Sequence, residues 1–131
     1  MLYPVYVYPG DDGHAHGVTV PDMPGCFTAV DNWDALGSAV QEAIELYFEG
    51  EDMEVPKPSS LDTLMQDASY EGGIWMLVDI DLSRVRPKAQ RLNVTLSQPL
   101  VRRIDGYAKQ HGETRSGFLA RAAERLMDEA E

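Results

Sequence analysis

Residues 90–127, QRLNVTLSQPLVRRIDGYAKQHGETRSGFLARAAERLM, change their hydrophobic period within a few positions. Up to Leu96, apolar and polar residues alternate, which predicts a strand with one buried face. Beyond Ser97 the apolar residues recur every three or four positions, which predicts a helix, and a second stripe with helical spacing follows Gly112. The two stripes are formed by Leu100, Ile104, Tyr107 and Ala108, and by Phe118, Leu119, Ala122, Ala123 and Leu126. The stretch therefore reads as strand, helix, turn and helix.

This C-terminal segment needs a partner, because a lone strand leaves its backbone unpaired and so short a segment buries little apolar surface. We expect a two-fold dimer in which two strands pair antiparallel and four helices share one core. This is a ribbon-helix-helix arrangement, and it places Leu92, Val94 and Leu96 in that core. A helix-turn-helix is the alternative, because a glycine-containing turn also joins its helices. The strand before the first helix favours the ribbon.

The polar residues of the predicted strand are of types that read DNA bases. Arg91, Asn93 and Thr95 would point away from the core, and a two-stranded ribbon fits the major groove. Arginine pairs with guanine, asparagine pairs with adenine, and threonine contacts the thymine methyl group or accepts a hydrogen bond. The simpler alternative is a solvated strand face without a partner. The change of period, the helix signals and the local charge together favour DNA binding.

Both predicted helices begin at residues that favour helix starts. Ser97 is a candidate N-cap for the first helix, whose opening turn tolerates Pro99. Thr114 is a candidate N-cap for the second helix. The exposed amides that follow it, with Arg115 and Ser116, predict a phosphate-binding site.

The charge of the chain is divided unevenly along its 131 residues. Residues 1–87 contain 16 acidic and 3 basic residues, a net charge of −13, whereas residues 88–131 contain 8 basic and 6 acidic residues, a net charge of +2. The acidic part suits a basic protein partner, and the basic part suits DNA. The single cysteine, Cys26, excludes an internal disulfide and fits a reducing compartment. Since neither a secretory signal nor an apolar run of about 18 residues is present, we expect a cytoplasmic protein without membrane attachment.

The first 82 residues predict an antiparallel sheet with flanking helices, an α+β fold. Three strands joined by tight turns form a meander, a helix capped by Asn32 and stopped by Gly50 shows carboxylates on its outer side, and Ser60 caps a short helix. The predicted strands are Leu2–Tyr8, His14–Val20, Cys26–Val30 and Ile74–Leu82. The outer carboxylates are Glu42, Glu45 and Glu49.

Two pairs of side chains were candidates for a metal site. His14 and His16 would share one strand face, and so would Asp79 and Asp81, which resemble half of a two-metal nuclease centre. Neither pair has further ligands at a persuasive spacing, and the chain contains no phosphate-binding glycine loop or nucleophile motif. We expect no catalytic residue, no metal and no cofactor. A magnesium-dependent nuclease using the two aspartates remains a testable alternative.

The N-terminal part contains motifs that occur together in one known family. They are Tyr3 to Val7, the Asp12-Gly13 turn, Gly17 to Val20, PDMPGCFTAV at Pro21 to Val30, and EAIELYFEG at the end of the helix. With the VPKPSS loop and the VDID strand, they resemble the HicB family of antitoxins over essentially all of the first 82 residues. The departures are Met23 for the more usual leucine, Asn32-Trp33 for a common Thr-Leu, and a His-Ala-His stretch for a single aromatic.

The resemblance implies a fold, a domain organisation and partners. Residues 1–82 would form a catalytically inactive, partial RNase H-like domain that binds and masks HicA, a small basic ribonuclease that cleaves messenger RNA. Residues 83–89 would be a linker. Residues 90–131 would form a ribbon-helix-helix dimer, or two such dimers paired into a tetramer, that binds the operator of its own operon. The alternative function is a ligand-responsive repressor that has no toxin partner.

Overall fold

The computed structural model describes residues 1–130 and divides into two compact units, Met1–Gln90 and a second unit that begins at Arg91. The first unit contains a four-stranded antiparallel sheet and two helices, and the second contains two helices. The predicted mixture of antiparallel sheet and helices is confirmed. The elements are β1 (Leu2–Tyr8), β2 (His16–Thr19), β3 (Phe27–Val30), α1 (Leu36–Phe48), α2 (Leu61–Met65), β4 (Ile74–Asp79), α3 (Gln98–Gln110) and α4 (Arg115–Glu129), with 3₁₀ turns at Trp33–Ala35 and Leu82–Arg84.

Strand β1 lies in the interior of the sheet, whose order is β3-β2-β1-β4. It pairs with β2 through Tyr6 opposite Thr19 and with β4 along its whole length, from Leu2 opposite Asp79 to Val7 opposite Ile74. Its five central residues are buried. Aromatic and β-branched residues suit such a strand, because they pack against neighbours on both faces of the sheet.

Pro4 is tolerated in this interior strand because of its place in the hydrogen-bond ladder. The bond from the Ile80 amide to the Met1 carbonyl sets the alternation of the β1–β4 ladder, so Pro4 and its partner Leu77 turn their backbone groups away from each other. The missing N–H of Pro4 therefore faces β2. Pairing between β1 and β2 begins at Tyr6, so Pro4 interrupts no residue pair of that ladder.

Helix α1 covers one face of the sheet. Its apolar side, with Val40, Ile44 and Phe48 essentially inaccessible, packs with Val5 and Val7 of β1 into a single core. Cys26 belongs to the same core, and burial raises the pKa of its thiol. A buried cysteine of this kind acts as a small apolar residue.

Side-chain hydrogen bonds hold α1 and the proline-rich loop that follows it against the sheet. The Gln41 amide donates to the Asp81 carbonyl (3.1 Å) and accepts from the Asp81 amide (2.8 Å), which ties α1 to the end of β4. The Tyr3 hydroxyl donates to the Pro56 carbonyl at 2.6 Å, and Ser59 donates from its amide and hydroxyl to the Asp22 carboxylate. The proline-rich loop is therefore held against β1 and the β2–β3 turn.

The opposite face of the sheet carries an aromatic cluster formed by Tyr6, Tyr8, Tyr70 and Trp75. The Tyr6 ring centroid lies 4.8 to 5.1 Å from those of the other three residues. The Tyr6 hydroxyl also accepts a hydrogen bond from the Gly73 amide at 2.7 Å. The segment that leads into β4 is fixed by these contacts.

Several boundaries and helix caps differ from the predicted ones. β2 begins at His16, because His14 lies in the preceding turn and its amide bonds the Asp11 carbonyl. Asn32 and Ser60 precede helical turns but form no side-chain cap. Residues 83–89 were predicted as a linker, but the start of this segment packs on the first unit, because Val85 is buried in its core.

We expect Gly73→Ala to destabilise the first unit, because a Cβ there would lie 2.6 Å from the Tyr6 ring and from the Val7 carbonyl oxygen. Overpacking of this kind costs about 1–3 kcal/mol. Gly17→Ala is the matched control, since its Cβ would meet no atom within 4 Å and a strand residue gains up to about 1 kcal/mol when glycine is replaced. Urea unfolding of both variants measures the difference, and equal stabilities would contradict the packing around Tyr6.

Candidate functional site

The outer side of α1 forms an acidic surface, defined by Glu42, Glu45 and Glu49. These side chains line a shallow groove together with the exposed Leu46 and two arginines from the segment after β4. Arg84 approaches Glu45 at 3.4 Å, so one carboxylate is partly neutralised. The sequence predicted this arrangement of carboxylates, which suits an interaction with cationic side chains.

The two aspartates predicted as a candidate metal pair form hydrogen bonds with different partners. Asp79 ends β4 and accepts from the ammonium group of Met1 at 2.8 Å, whereas Asp81 lies beyond the strand and its carboxylate accepts from the amide and hydroxyl of Ser83. The Ser83 hydroxyl and amide hold the pKa of Asp81 below its ordinary value. The prediction that both aspartates share a strand face is therefore wrong, because the strand ends between them.

The two histidines also have separate partners. His14 Nδ1 lies 2.6 Å from the Asp11 carboxylate, while His16 Nδ1 accepts from the Gly10 amide and its ring stacks on Trp33 at 4.0 Å. Across residues 1–130, histidine, cysteine and acidic side chains nowhere gather in a group of three or more that could hold a metal ion. None of the helices in that range is long and apolar enough to cross a bilayer.

The second unit has the two helix caps that the sequence predicts. The Ser97 hydroxyl accepts from the Leu100 amide at 3.4 Å with Pro99 in the first turn of α3, and the Thr114 hydroxyl accepts from the Gly117 amide at 3.0 Å. Gly112 has a φ of +67°, which permits the sharp turn between the helices. The hydroxyl of Thr114 is therefore occupied by capping.

Two bidentate ion pairs connect α3 and the turn that follows it to α4. Asp105 holds Arg115 through Nε and Nη2 at 2.8 and 2.7 Å, and Glu113 holds Arg121 in the same way. The hydrogen bond from Arg115 lowers the pKa of Asp105, and the pKa of Arg115 is raised in return. The guanidinium of Arg115 keeps its Nη1 group outside this pair, at the start of α4.

The predicted ribbon strand is not formed in the single chain. Residues 91–97 have no regular secondary structure, and Leu92 and Val94, predicted to be buried, are 70% and 68% exposed. Ile104 and Ala108 are the buried residues of α3, and α4 buries none. A strand needs a neighbour for its backbone, and one copy of this segment contains none. The unit thus exposes the apolar side chains that a second copy would cover.

The side chains predicted to contact DNA are all exposed, and Thr114 among them is the N-cap of α4. Arg91, Asn93, Thr95 and Ser116 are exposed, and Arg115 has the ion pair described above. Sequence reasoning missed two further cations, Arg102 and Arg103. Both are exposed on α3, and neither is in an ion pair within the part of the chain that the structure describes. Their adjacency outside the buried stripe of α3 was the available signal.

Comparisons with known proteins agree with this architecture. Residues 3–123 match the model of a family described as the HicB-like antitoxin of bacterial toxin–antitoxin systems. The chain therefore belongs to a family of toxin–antitoxin antitoxins, a class of regulators. More specifically, it belongs to the HicB-like antitoxin family.

Two of the individual relatives match nearly the whole chain, and a third matches a shorter part of it. The HicB antitoxin of Burkholderia pseudomallei is 40% identical with a TM-score of 0.56, covering 94% of this chain and 96% of that chain. An uncharacterized 14.9 kDa protein from the rep-hol intergenic region of Haemophilus phage HP1 is 36% identical, covering 94% of this chain and 95% of its own length. A chain of a structure described as the HicA3 and HicB3 toxin–antitoxin complex is 26% identical with a TM-score of 0.53, covering 62% of this chain and 99% of that chain.

We expect the pKa of Asp105 to rise to its ordinary value in Arg115→Gln, because the hydrogen bond from Arg115 is the main cause of its depression. A depressed carboxyl pKa stabilises the fold above the pKa of the unfolded chain, and this contribution is lost as the pH falls through the folded pKa. The contribution of this pair is therefore present at neutral pH and lost in acid. NMR titration of the carboxyl groups measures the pKa, and Arg125→Gln, which alters a pair with Glu129, is the control. An Asp105 pKa unchanged by Arg115→Gln would contradict the assignment.

Proposed function

We propose that this chain is the antitoxin of a HicAB-type system, which neutralises a HicA ribonuclease through its first unit and represses its own operon through its second. The carrying observation is the division of charge between the two units of an antitoxin-family chain. An acidic unit attracts a basic protein, and a unit with unpaired cations attracts DNA. The protein would act in the cytoplasm, as a regulator and without a metal or cofactor.

Neutralisation would work by covering the surface with which the toxin binds RNA. A ribonuclease that binds phosphates has a cationic surface, and the carboxylates of the first unit can occupy it in place of RNA. Complementary charge also speeds the encounter of the two proteins. The similarity to HicB3 in its complex with HicA3 supports a toxin as the partner. Masking needs no catalytic group on the antitoxin. Asp79 and Asp81 each accept a hydrogen bond from a different neighbouring group, which fits a role other than joint metal binding.

Operator binding would require two copies of the second unit. Antiparallel pairing of residues 91–96 from two chains would bury Leu92 and Val94 and turn Arg91, Asn93 and Thr95 outward on one face. The exposed Leu126 and Met127 on α4, 69% and 61% accessible, supply further apolar surface for the shared core. Arg115, oriented by Asp105 at the start of α4, would contact phosphate beside the free amides and Ser116.

The two activities should be separable by mutation. We expect Arg91→Ala combined with Asn93→Ala to abolish operator binding, because both base-reading side chains are removed, while toxin neutralisation is retained. Mobility shifts with the DNA upstream of the operon measure the first activity. Co-expression and co-purification with the product of the adjacent reading frame measure the second. Arg125→Ala, an exposed arginine near the other end of α4, is the control and should affect neither activity.

The outcome also tests the function itself. If the wild-type chain captures no small basic protein encoded beside it, the antitoxin proposal fails, and a repressor that responds to a small ligand becomes the better explanation. Magnesium-dependent RNA cleavage by the pure chain, lost in Asp79→Asn, would contradict a purely regulatory role.

Base contacts and phosphate contacts should respond differently to mutation. Asn93→Ala should relax the choice at one base position, at a cost of about 1–3 kcal/mol for the operator only. Arg115→Ala should weaken binding to all sequences alike and lower the salt dependence of the affinity by about one phosphate contact. Titrations of operator and random DNA at several salt concentrations distinguish the two effects. Equal losses on both DNAs for both variants would contradict this division of roles.

A further inference from the structure

The outer edge of β4 is a surface that the proposed function does not yet use. β4 is the last strand of the sheet, pairs with β1 on one side, and has no strand of residues 1–90 on the other. Its sequence IWMLVD has five apolar residues in six, and Ile74 and Leu77 are 48% and 49% exposed. Edge strands are commonly protected by a bulge, a proline or a lysine. β4 has none of these, and its pairing with β1 is continuous.

The register shows which backbone groups this edge offers. Because the Ile80 amide bonds the Met1 carbonyl, the alternation of the ladder directs Ile74, Met76 and Val78 towards β1. Trp75, Leu77 and Asp79 therefore direct their N–H and C=O groups outward. Each provides one donor and one acceptor, spaced as an added antiparallel or parallel strand requires. The side chains of the same three residues lie on the sheet face of the aromatic cluster.

The charges around β4 distinguish between the partners that could pair with it. Glu71 precedes the strand, and Asp79 and Asp81 lie at its other end, all exposed. Asp79 is paired with the Met1 ammonium group, so Asp81 supplies the net negative charge at that end. Antiparallel pairing of β4 from two chains would place the acidic start of one strand beside the acidic end of the other. Parallel pairing would place each acid beside the same residue of the second chain. Like charges placed opposite each other destabilise paired strands. A strand flanked by lysine or arginine would instead meet opposite charge at both ends.

We propose that the outer edge of β4 receives an extended strand of the basic toxin, which adds to the sheet as a fifth strand. The inference rests on the proposed antitoxin function for the identity of the partner. Backbone hydrogen bonds to Trp75, Leu77 and Asp79 hold the strand, the exposed Leu77 side chain contacts its apolar residues, and the flanking acids select for cationic residues. The acidic surface of α1 then contributes to attraction over a longer range.

Amide hydrogen exchange of the full chain, followed by NMR, tests this arrangement. In the free protein the amides of Trp75, Leu77 and Asp79 should exchange much faster than those of the alternate residues, which bond β1. Addition of the protein encoded by the adjacent reading frame should slow those three outward amides by at least about tenfold, with little change in the inward ones. The outward amides of β3, Phe27 and Ala29, are the internal control and should not change.

A pair of proline variants gives an independent measurement. Leu77→Pro removes an outward N–H without breaking a bond to β1, and Ala29→Pro does the same on the opposite edge of the sheet. Leu77→Pro should weaken toxin binding by at least about tenfold, and Ala29→Pro should not. Circular dichroism and thermal unfolding verify that both are folded. Leu77→Lys, which keeps the backbone N–H and adds a repelled cation, replaces Leu77→Pro if that variant unfolds and should weaken binding as well.

The outcomes separate this inference from the proposed function. Toxin binding with protection confined to the three outward amides supports both. Toxin binding without that protection overturns the strand addition and leaves the antitoxin function standing. Protection in the free protein that grows with its concentration shows that a second copy occupies the edge, and overturns the inference. A wild-type chain that binds no toxin overturns the proposed function and this inference together.

Discussion

The first unit depends on β1, a strand that pairs with β4 on one side, pairs with β2 from Tyr6 on the other side, and is packed on both faces. Val5 and Val7 reach the core under α1, while Tyr6 anchors the aromatic cluster on the other face. Because the side-chain period of a strand is two, a shift of one residue would exchange these two sets and lose both cores. The register of β1 is therefore strongly specified. It fixes in turn which backbone groups of β4 point to solvent.

Local signals in the sequence predicted most of the elements, and contacts between distant residues account for the rest. Alternation, turn glycines and the Ser97 and Thr114 caps depend on neighbours a few residues away, so the strands of the sheet and the starts of α3 and α4 were predictable. The end of β4, the packing of Val85 and the pairing of Arg115 depend on residues ten or more positions distant, where no periodic pattern applies. The ribbon strand depends on a second chain, which no pattern within one chain supplies.

The sequence predicts the charges of the candidate binding surfaces, but it does not predict which charged side chains are in ion pairs. Composition alone separates an acidic unit from a basic one, because counting charges requires no structure. Which cations remain available does require structure, since Arg121 and Arg125 are used in ion pairs while Arg102 and Arg103 are not. Arg115 is also paired, but its Nη1 group lies outside the pair with Asp105. Asp105 fixes Arg115 in one orientation, which reduces the side-chain entropy that a phosphate contact must overcome.

The two edges of the sheet differ in a way that fits a protein with one intended partner. β3 is only four residues long, and a short edge strand is a poor template for pairing. β4 is longer and almost entirely apolar between its flanking acids. Acids at both ends would repel a second copy of the same chain, which would disfavour association of the free protein through this edge. The same acids attract a cationic strand, so a single feature of the sequence opposes self-association and favours a basic partner.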